Sequence, residues 1–380
     1  MGTRKHRNGA AGPENTKKTE KERTACRFLK TLAGTAGGFA GLCVLSVVLL
    51  DPFYHYHGPW FGLKAVLNEK EYQVPGSLRH FSYDSVLVGS SVVENNDNRW
   101  YDEAFGGTTI KAVRSYGGIA DLVWYLNLAF DSQEVKQVFF NLDPASLTQE
   151  AETTFEASGC PMYIYDRNPF NDVKYVLNKT VLLEKIPYLL AQSFSGDYEE
   201  GLSYNWAEGK DFSENGVLTH YYRRREAVPM LSADAKEQEL SGNLELLVQV
   251  VEAHPDTQFY FFLPPYSMIW WDDAARNGLR DVYLYDEQET ARTLLACDNV
   301  RFFDFQNDTE IVTDLNRYMD TVHFDPGVNA VICAAMAEGR NEVTADNLEE
   351  TFETTRALIR QYEEQTIPQL EQEEKFVYEQ

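Results

Sequence analysis

Two short stretches carry side chains that could together perform nucleophilic catalysis. The later one is Asp320-Thr-Val-His323, an aspartate three residues before a histidine. In such a pair the histidine can take a proton from a hydroxyl nucleophile, while the carboxylate fixes the imidazole tautomer and stabilises its charge. No other histidine follows His254, so this part of the chain offers no second base of this type. The alternative is a packed histidine before a helix that starts at Asp325-Pro326.

The serine that could meet this histidine follows a short apolar run. Residues Asp84–Val88 lead into Gly89-Ser90-Ser91. A strand that ends in glycine can deliver a hydroxyl to the carboxyl edge of a sheet, because glycine permits a tight turn and the amides beyond it can bind an anion. Gly-Ser-Ser is also common in ordinary turns, so this motif alone is compatible with a plain loop. With its two partners, Ser91 is the candidate nucleophile of a Ser-His-Asp triad.

The elements that must position these groups follow an alternating pattern. Strands are predicted at 84–88, 109–113, 137–142, 257–263 and 300–305, and helices at 119–130, 240–253, 281–295 and 345–363. This alternation is typical of an α/β fold with a five-stranded parallel sheet and helices on both faces. Sites in such sheets lie at the carboxyl ends of the strands, which is where Ser91 is expected.

Residues 144–239 do not fit the alternation and are predicted to form a long insertion over the strand ends. They are rich in Tyr, Asn, Asp and Glu, and Val173–Leu190 is expected to be helical. Long insertions at this face often shape substrate access. The basic triplet Arg223-Arg224-Arg225 could clamp an anionic polymer, or it could lie on a solvated helix face.

The first fifty residues divide into a basic tail and an uncharged segment. Residues 1–30 hold nine Lys/Arg against three acids, a net charge of +6, and residues 31–50 carry no charge. Twenty residues at about 1.5 Å each can cross a bilayer. The positive-inside rule then predicts a single-pass anchor with a cytoplasmic tail and an extracellular body. The alternative is a cleaved signal peptide, although the bulky Val47–Leu50 is a poor cleavage site.

The rest of the chain is acidic, which limits its partners and cofactors. A net charge of −25 for the whole chain leaves −31 for residues 31–380 and argues against nucleic acid. Five scattered cysteines form neither a disulfide framework nor a metal pattern, so free thiols are expected, with a single bridge still open. No cofactor is predicted. His55 and His57, in the membrane-proximal segment 51–80, could invite a metal, but no further ligands cluster nearby.

Taken together, the two chemical motifs resemble those of SGNH (GDSL-like) hydrolases. Gly89-Ser90-Ser91 resembles the opening Gly-Asp-Ser block, with Ser91 as nucleophile, and Asp320-Thr-Val-His323 resembles the closing Asp-x-x-His block. The resemblance implies a three-layer, flavodoxin-like domain over residues 81–365, followed by an acidic tail at 366–380. It also implies an oxyanion donor at Gly117 or Gly118, after the second strand, of which Gly118 is the candidate.

The family's third block is altered in this chain. Where SGNH hydrolases have Gly-x-Asn-Asp, Asn141 stands in the place of the glycine and Asp143 in the place of the asparagine. A carboxylate is a poor oxyanion donor unless it is protonated, so either Asn141 substitutes as donor or the oxyanion hole is incomplete. Asp143 and Tyr116 are the candidate substrate-binding residues.

Further segments resemble membrane-anchored, cell-surface SGNH-type proteins of Gram-positive bacteria. The likeness rests on the basic tail, the anchor and the segments 51–57, 83–91, 168–178 and 262–267. More distantly, the chain is similar to the D-alanyl-teichoic-acid transfer protein and to alginate O-acetylation proteins. The resemblance implies a serine esterase or O-acyltransferase acting on an envelope glycan or teichoic-type polymer. The alternative is a non-catalytic protein on the same fold that binds glycan or scaffolds a membrane complex.

Overall fold

A six-stranded sheet forms the centre of the protein, whose structure is a computed structural model that describes residues 19–379. Its strands run in the order β2-β1-β3-β5-β6-β7, and a second sheet pairs β4 with β8. The strands are β1 Ser85–Gly89, β2 Thr109–Val113, β3 Gln137–Asn141, β4 Tyr222–Arg223, β5 Gln258–Leu263, β6 Val300–Asp304, β7 Glu342–Val343 and β8 Val377–Tyr378.

All neighbouring strands of the large sheet are parallel except the pair β6 and β7. The predicted α/β class and the five predicted parallel strands are therefore confirmed. The expected five-stranded sheet has a sixth, antiparallel strand at its edge. Because β7 contains only two residues, Glu342 and Val343, it leaves no periodic signal in the sequence.

Helices connect the strands and cover the sheet. Within residues 19–379 the α-helices are, in chain order, α1 Glu20–Leu50, α2 Lys70–His80, α3 Asn98–Phe105, α4 Ile119–Ser132, α5 Pro144–Leu147, α6 Met162–Tyr165, α7 Val173–Val176, α8 Ile186–Ser195, α9 Glu214–His220, α10 Glu237–Ala253, α11 Met268–Arg276, α12 Arg280–Leu294, α13 Thr309–Val312, α14 Pro326–Glu338, α15 Leu348–Gln361 and α16 Ile367–Gln372. Shorter 3-10 or π-helical turns occur at 91–93, 181–185, 200–202, 315–317 and 362–366.

The two faces of the sheet bury different helices. On one face, Phe139 of β3 contacts the rings of Tyr101 and Phe105 in α3. On the other, Phe259 of β5 lies 6.3 Å from Phe130 of α4, measured between ring centroids. Phe259 pairs with Val138, the residue before Phe139, in the β3–β5 register. Because successive side chains of a strand point to opposite faces, Phe139 and Phe259 lie on opposite faces of the sheet. Strands buried on both sides are nearly continuously apolar, which is why the sequence predicted them well.

The amino-terminal helix α1 is the one segment of residues 19–379 that is long and apolar enough to cross a membrane. A cleaved signal sequence can share this length and composition. The helix begins at Glu20, eleven residues earlier than the predicted anchor, because Thr19 and Glu22 form a capping box. Residues 1–18 of the predicted tail lie outside the described residues.

No linker separates α1 from the rest of the protein. Asp51 follows the helix directly, is buried, and accepts the backbone N–H groups of His55, Tyr56 and His57 at 2.6–3.0 Å. Its other partner is the hydroxyl of Tyr175, at 2.7 Å. Burial raises the pKa of Asp51, while these hydrogen bonds oppose the shift. The carboxylate therefore joins the end of α1 to the body of the protein.

The two histidines of this segment do not converge. His55 Nε2 lies 3.3 Å from a carboxylate oxygen of Asp172, whereas His57 Nε2 lies 2.7 Å from the carbonyl oxygen of Val48. Among residues 19–379 no three His, Cys, Asp or Glu side chains come together in a group that could hold a metal ion. All five cysteines are free, and only Cys333 is fully buried.

Neither expectation for the arginine triplet describes Arg223. Its side chain is buried in β4, where the guanidinium donates to both carboxylate oxygens of Asp272 at 2.6 and 2.9 Å and also pairs with Glu371. The neighbouring Arg225 stacks over the ring of Tyr378. Arg223 is thus neither free to clamp a polymer nor on a solvated helix face, whereas Arg224 and Arg225 are at least partly exposed.

The segment predicted as an acidic tail at 366–380 contains regular structure that packs on the body of the protein. Residues 367–372 form α16, and β8 pairs with β4. Three apolar side chains of the segment, Ile367, Leu370 and Phe376, are buried. These three side chains attach the tail to the body. The sequence did not predict this because the tail is acidic in composition.

One buried carboxylate gives a prediction for stability. Asp286 of α12 has no exposed surface, and neither of its oxygens has a hydrogen-bond partner in residues 19–379. Burial raises the pKa of Asp286 to about 7, and the charge of Glu239 adds to the shift. The folded protein therefore keeps a proton that the unfolded chain loses near pH 4, so this group lowers the unfolding free energy as pH rises from about 4 to 7.

We expect Asp286→Asn to remove this penalty. At pH 8 the variant should exceed the wild type in unfolding free energy by about 1 to 3 kcal/mol, with a smaller difference at pH 5. Thermal unfolding of the full chain in detergent micelles at both pH values measures the effect. The control is Glu289→Gln on the same helix, a carboxylate paired with Arg292. A difference between Asp286→Asn and wild type that is the same at both pH values would contradict the prediction.

Candidate active site

The structure brings Ser91, His323 and Asp320 into one hydrogen-bonded chain. Ser91 Oγ lies 2.7 Å from His323 Nε2, and His323 Nδ1 lies 2.7 Å from Asp320 Oδ2. All three side chains are partly exposed, so a solvent molecule or substrate can reach them. Distances of 2.6–3.2 Å are those expected between a nucleophile, its base and the group that orients the base.

The proton positions follow from the chemistry of Asp320. Its second oxygen, Oδ1, accepts the backbone N–H groups of Val322 and His323 at 2.9 and 2.8 Å. Although burial acts to raise the pKa of Asp320, the hydrogen bonds and charge of His323 hold it below its usual value. An ionised carboxylate can only accept, so Nδ1 carries the imidazole proton. Nε2 is then free to accept the proton of the Ser91 hydroxyl.

Ser91 is placed by the end of β1, as the sequence predicted. The strand stops at Gly89, and Ser91 opens a 3-10 turn in which the Ser90 hydroxyl accepts the backbone N–H of Val92. A side chain at position 89 would not fit, because a Cβ there would lie 2.7 Å from the Cβ of Asn141 on β3. The glycine therefore permits close approach of β1 and β3 just before the nucleophile.

The loop that carries His323 is held from both ends. Tyr318 is buried and donates its hydroxyl to the carbonyl oxygen of Pro265, 2.7 Å away. Tyr318 also pairs with Phe324 in an isolated β-bridge. On the other side, Asp325 caps the first turn of α14. The helix start suggested by Asp325-Pro326 is thus present, and it sets the loop in place while His323 faces Ser91.

Asn141 and Asp143 lie beneath the nucleophile instead of on the cleft surface. Both are buried, and the Asn141 amide donates to an Asp143 oxygen at 2.9 Å. Tyr266 donates its hydroxyl to the same carboxylate. Burial raises the pKa of Asp143, while these hydrogen bonds oppose the shift. The altered third block therefore supports the Ser90-Ser91 turn from below.

The other predicted site residues lie around the second strand. Tyr116 is 91% exposed, has a left-handed backbone with φ of 57°, and lines the cleft beside Ser91. Gly118 precedes the first turn of α4 but is not among the residues that line this cleft. The structure thus brings Tyr116 next to the triad, whereas the oxyanion roles of Gly118 and Asn141 stay predictions.

The cleft has a volume of about 460 Å³ and includes residues that the sequence analysis missed. Lys70 donates to Glu94 and to Ser115, each at 2.6 Å, and these three side chains form one wall. Burial raises the pKa of Glu94, while the Lys70 charge opposes the shift. Lys70 and Glu94 had no signal in the sequence, since neither stands in a motif.

A buried lysine holds the nucleophile segment to the insertion. The Lys111 ammonium donates to the backbone carbonyls of Glu94, Asn96 and Ser203 at 2.5–2.8 Å and has no exposed surface. Burial lowers its pKa to about 7, and the carboxylates of Asp97 and Glu94 oppose the shift. The sequence signal for this contact is the lysine within the apolar strand Thr109–Val113.

Trp206 of the insertion covers the triad. Its indole N–H donates to the backbone carbonyl of Ser91 at 3.2 Å, and its ring meets the His323 ring edge-on with centroids 5.2 Å apart. Residues 204–206 and Lys210 also line the cleft, so this part of the insertion lies over the site as predicted. The tryptophan itself had no distinguishing pattern in the sequence.

A Trp206→Phe variant tests this contact. Loss of one hydrogen bond, worth about 1 to 2 kcal/mol, should slow the reaction of Ser91 with a fluorophosphonate, a reagent for activated serines, about 5- to 30-fold. The phenyl ring retains most of the packing on His323. The control is Trp124→Phe, a tryptophan of α4 that packs on Phe155 and is not among the cleft residues. A wild-type rate for Trp206→Phe would show that the indole does not position Ser91.

A scan of the chain against protein-family models and a search of curated proteins both found no match. Any functional assignment must therefore come from the chemistry of the site itself. The strongest feature of that site is a serine, an imidazole and a carboxylate in hydrogen-bonded order at the carboxyl edge of a mostly parallel sheet.

Proposed function

We propose that this protein is a serine esterase or O-acyltransferase that uses Ser91, His323 and Asp320. The observation that carries the proposal is the continuous hydrogen-bonded chain from Ser91 Oγ through both imidazole nitrogens to the Asp320 carboxylate. Ser91 and His323 are 232 residues apart in sequence, and a loop anchored at Tyr318 and a strand end at Gly89 bring them together. Packing alone does not require this order of groups.

The geometry supports a two-step acyl transfer. Ser91 Oγ attacks an acyl carbonyl while its proton passes to His323 Nε2, and the resulting imidazolium is stabilised by Asp320. His323 then returns the proton to the departing alcohol oxygen, which leaves an ester between Ser91 and the acyl group. In the second step a water molecule or an acceptor hydroxyl loses its proton to His323 and attacks that ester, releasing Ser91. The acceptor decides between hydrolysis and transfer.

The sheet supports placement in the SGNH group. With β4 left aside, the parallel strands follow the order second, first, third, fourth, fifth, which is the flavodoxin-like order. Ser91 follows the first strand, and His323 precedes the last long helices, as in the resemblance drawn from the sequence. The three-layer SGNH fold over residues 81–365 is therefore part of the proposal.

The proposed substrate is an ester-bearing glycan or teichoic-type polymer of the cell envelope. The support is the position of the site on a chain whose α1 could anchor it in a membrane, together with the excess of basic residues before that helix. In this arrangement the tail is cytoplasmic and the domain faces the envelope. The cleft is wide and lined by polar groups, including Lys70, Glu94 and Asn205, as a hydroxyl-rich polymer would require.

One observation favours the second candidate, a non-catalytic protein that binds glycan or scaffolds a complex. The Asn141 amide donates a hydrogen bond to the buried Asp143 beneath the nucleophile. The block that would supply an oxyanion donor therefore has a structural role here. A serine protease that lacks one oxyanion donor loses about 10²- to 10³-fold in rate. The backbone amides of Ser91 and Gly118 are the donors on which catalysis would then depend.

The test is to treat the full chain in detergent micelles with a fluorophosphonate and to map the adduct by mass spectrometry. We expect one adduct, on Ser91, which heat denaturation before treatment abolishes. A matched control is Ser115→Ala, which removes another hydroxyl of the same cleft and should leave labelling of Ser91 in place. A folded chain that gives no adduct, or an adduct elsewhere, would favour the binding or scaffold function.

A further inference from the structure

We propose that the helix formed by residues 181–195 lies in the surface of the lipid bilayer beside the end of α1, as a second membrane contact that does not span it. The helix combines the π-helical turn Val181–Lys185 with α8. Its sequence, VLLEKIPYLLAQSFS, contains only two charged residues, Glu184 and Lys185. We call it the interfacial helix. The proposal does not depend on the function proposed for Ser91.

The outward face of the interfacial helix is mostly apolar. Its exposed positions recur at helical spacing through Leu183, Pro187, Ala191 and Phe194, with Glu184 and Ser195 as the exposed polar residues. The side chains of Leu183 and Phe194 are 74% and 77% exposed. Tyr188, on the same face, is 40% exposed. The exposed face of a helix on a soluble domain is normally polar. A contiguous apolar face of this kind indicates an interaction surface.

The inward face is docked, so the exposed apolar side chains do not result from a helix that has come loose. Leu189 is buried in a small hydrophobic cluster with Leu63 and Val66, and Leu190 packs against the same cluster. In addition, the Ser193 hydroxyl accepts the backbone N–H of Lys64 at 3.1 Å. The orientation of the helix is therefore fixed, and its outer face remains uncovered within residues 19–379.

The position of α1 identifies the bilayer as the partner. Leu50, the last residue of α1, packs on the cluster that holds the interfacial helix, and α1 also packs against its first turn, 181–185. The interfacial helix thus lies beside the end of the segment that could cross a membrane. A helix with apolar side chains on one face can lie in the plane of the interface, buried by about 5–10 Å.

Aromatic residues around the same junction support this placement. Phe61 and Phe170 are 73% and 91% exposed. Trp60 stacks on His57 with ring centroids 3.5 Å apart, and His57 in turn reaches the carbonyl of Val48 in the last turn of α1. Tryptophan is enriched at the level of the lipid headgroups. These rings would form an aromatic border where α1 leaves the membrane.

The test measures contact between lipid and single labelled positions in the full chain. The five free cysteines are replaced by alanine, and one cysteine is introduced as Phe194→Cys or Leu183→Cys and labelled with the environment-sensitive dye NBD. The chain is reconstituted in vesicles of phosphatidylcholine and phosphatidylglycerol with or without a lipid that carries a doxyl quencher near its headgroup. The control is Leu231→Cys, a 43% exposed leucine beside Gly278 at the start of α12, near the opposite half of the sheet.

We expect the doxyl lipid to reduce NBD emission at least two-fold at positions 183 and 194, and much less at position 231. Two test positions keep the result decisive if one label disturbs the helix. Quenching at 183 and 194 no greater than at 231 would overturn the proposal. Blue-shifted emission without quenching would also overturn it, since a second copy of the chain would then cover the face.

Discussion

Replacing Asp320 with asparagine should slow the labelling of Ser91 by a fluorophosphonate about 10⁴-fold at pH 7, in line with the equivalent change in a serine protease. The side-chain carbonyl of the introduced asparagine can still accept the backbone N–H groups of Val322 and His323, so the loop keeps its shape. The new amide group, however, would face His323 Nδ1 and force the ring proton onto Nε2. That nitrogen could then no longer take the proton of Ser91. The rate of labelling of full-length variant and wild type, followed over time, measures the effect.

Asp325→Asn is the matched control for this variant. Asp325 lies in the same loop and accepts the backbone N–H of Gly327 at 2.7 Å, but its side chain pairs with Arg317 instead of His323. Its replacement should change the labelling rate little, since asparagine also caps helices well. If Asp320→Asn and Asp325→Asn reduced the rate equally, the effect would reflect loop stability, and Asp320 would not orient the base.

The second large effect concerns stability. Arg223→Met should lower the unfolding free energy by about 3 to 5 kcal/mol, because removal of one member of a buried ion pair leaves its partner uncompensated. Here the partner is Asp272, which accepts two hydrogen bonds from Arg223 and a third from the Tyr221 hydroxyl at 2.8 Å. Its remaining cation, Arg276, lies 4.0 Å away and would compensate the charge only weakly. Urea unfolding of the full chain in detergent micelles measures the change.

Two comparisons separate this pair from a general loss of positive charge. Arg224→Met removes the neighbouring arginine, which is partly exposed and makes one contact of 3.7 Å with Glu379, and should cost less than about 1 kcal/mol. The double variant Arg223→Met with Asp272→Leu removes both charges and should recover part of the loss. A cost for Arg223→Met no larger than that for Arg224→Met would show that the buried pair contributes little.

The parts of the fold that the sequence predicted are those with strong local patterns. Strands buried on both faces, such as Gln258–Leu263, are continuous apolar runs, and the uncharged segment 31–50 within α1 is visible from composition alone. The proximity of Ser91 to His323 was also predictable, because parallel strands present their carboxyl ends at one edge of the sheet. The hydrogen-bond distances between the triad groups were not.

The rest depended on contacts between segments distant in sequence. Trp206 donates a hydrogen bond to Ser91 from an insertion that has no periodic pattern. Arg223 pairs with Asp272 from β4, a strand of only two residues. A charged triplet gives no indication in sequence that one of its members is buried with a partner. Nor does the sequence indicate that Phe376, in an acidic tail, is buried against the Arg223 guanidinium and the Tyr221 ring.

The direct joint at Asp51 has a mechanical consequence. A flexible tether would let the domain sample a wide volume, whereas here the carboxylate and Tyr175 clamp the end of α1 with no free residues between. A helix whose apolar length exceeds the bilayer thickness adjusts by tilting. With a rigid joint, the domain would turn together with α1 when the helix tilts. If α1 spans a bilayer, as proposed, membrane thickness would therefore set the angle and height of the cleft relative to the membrane surface.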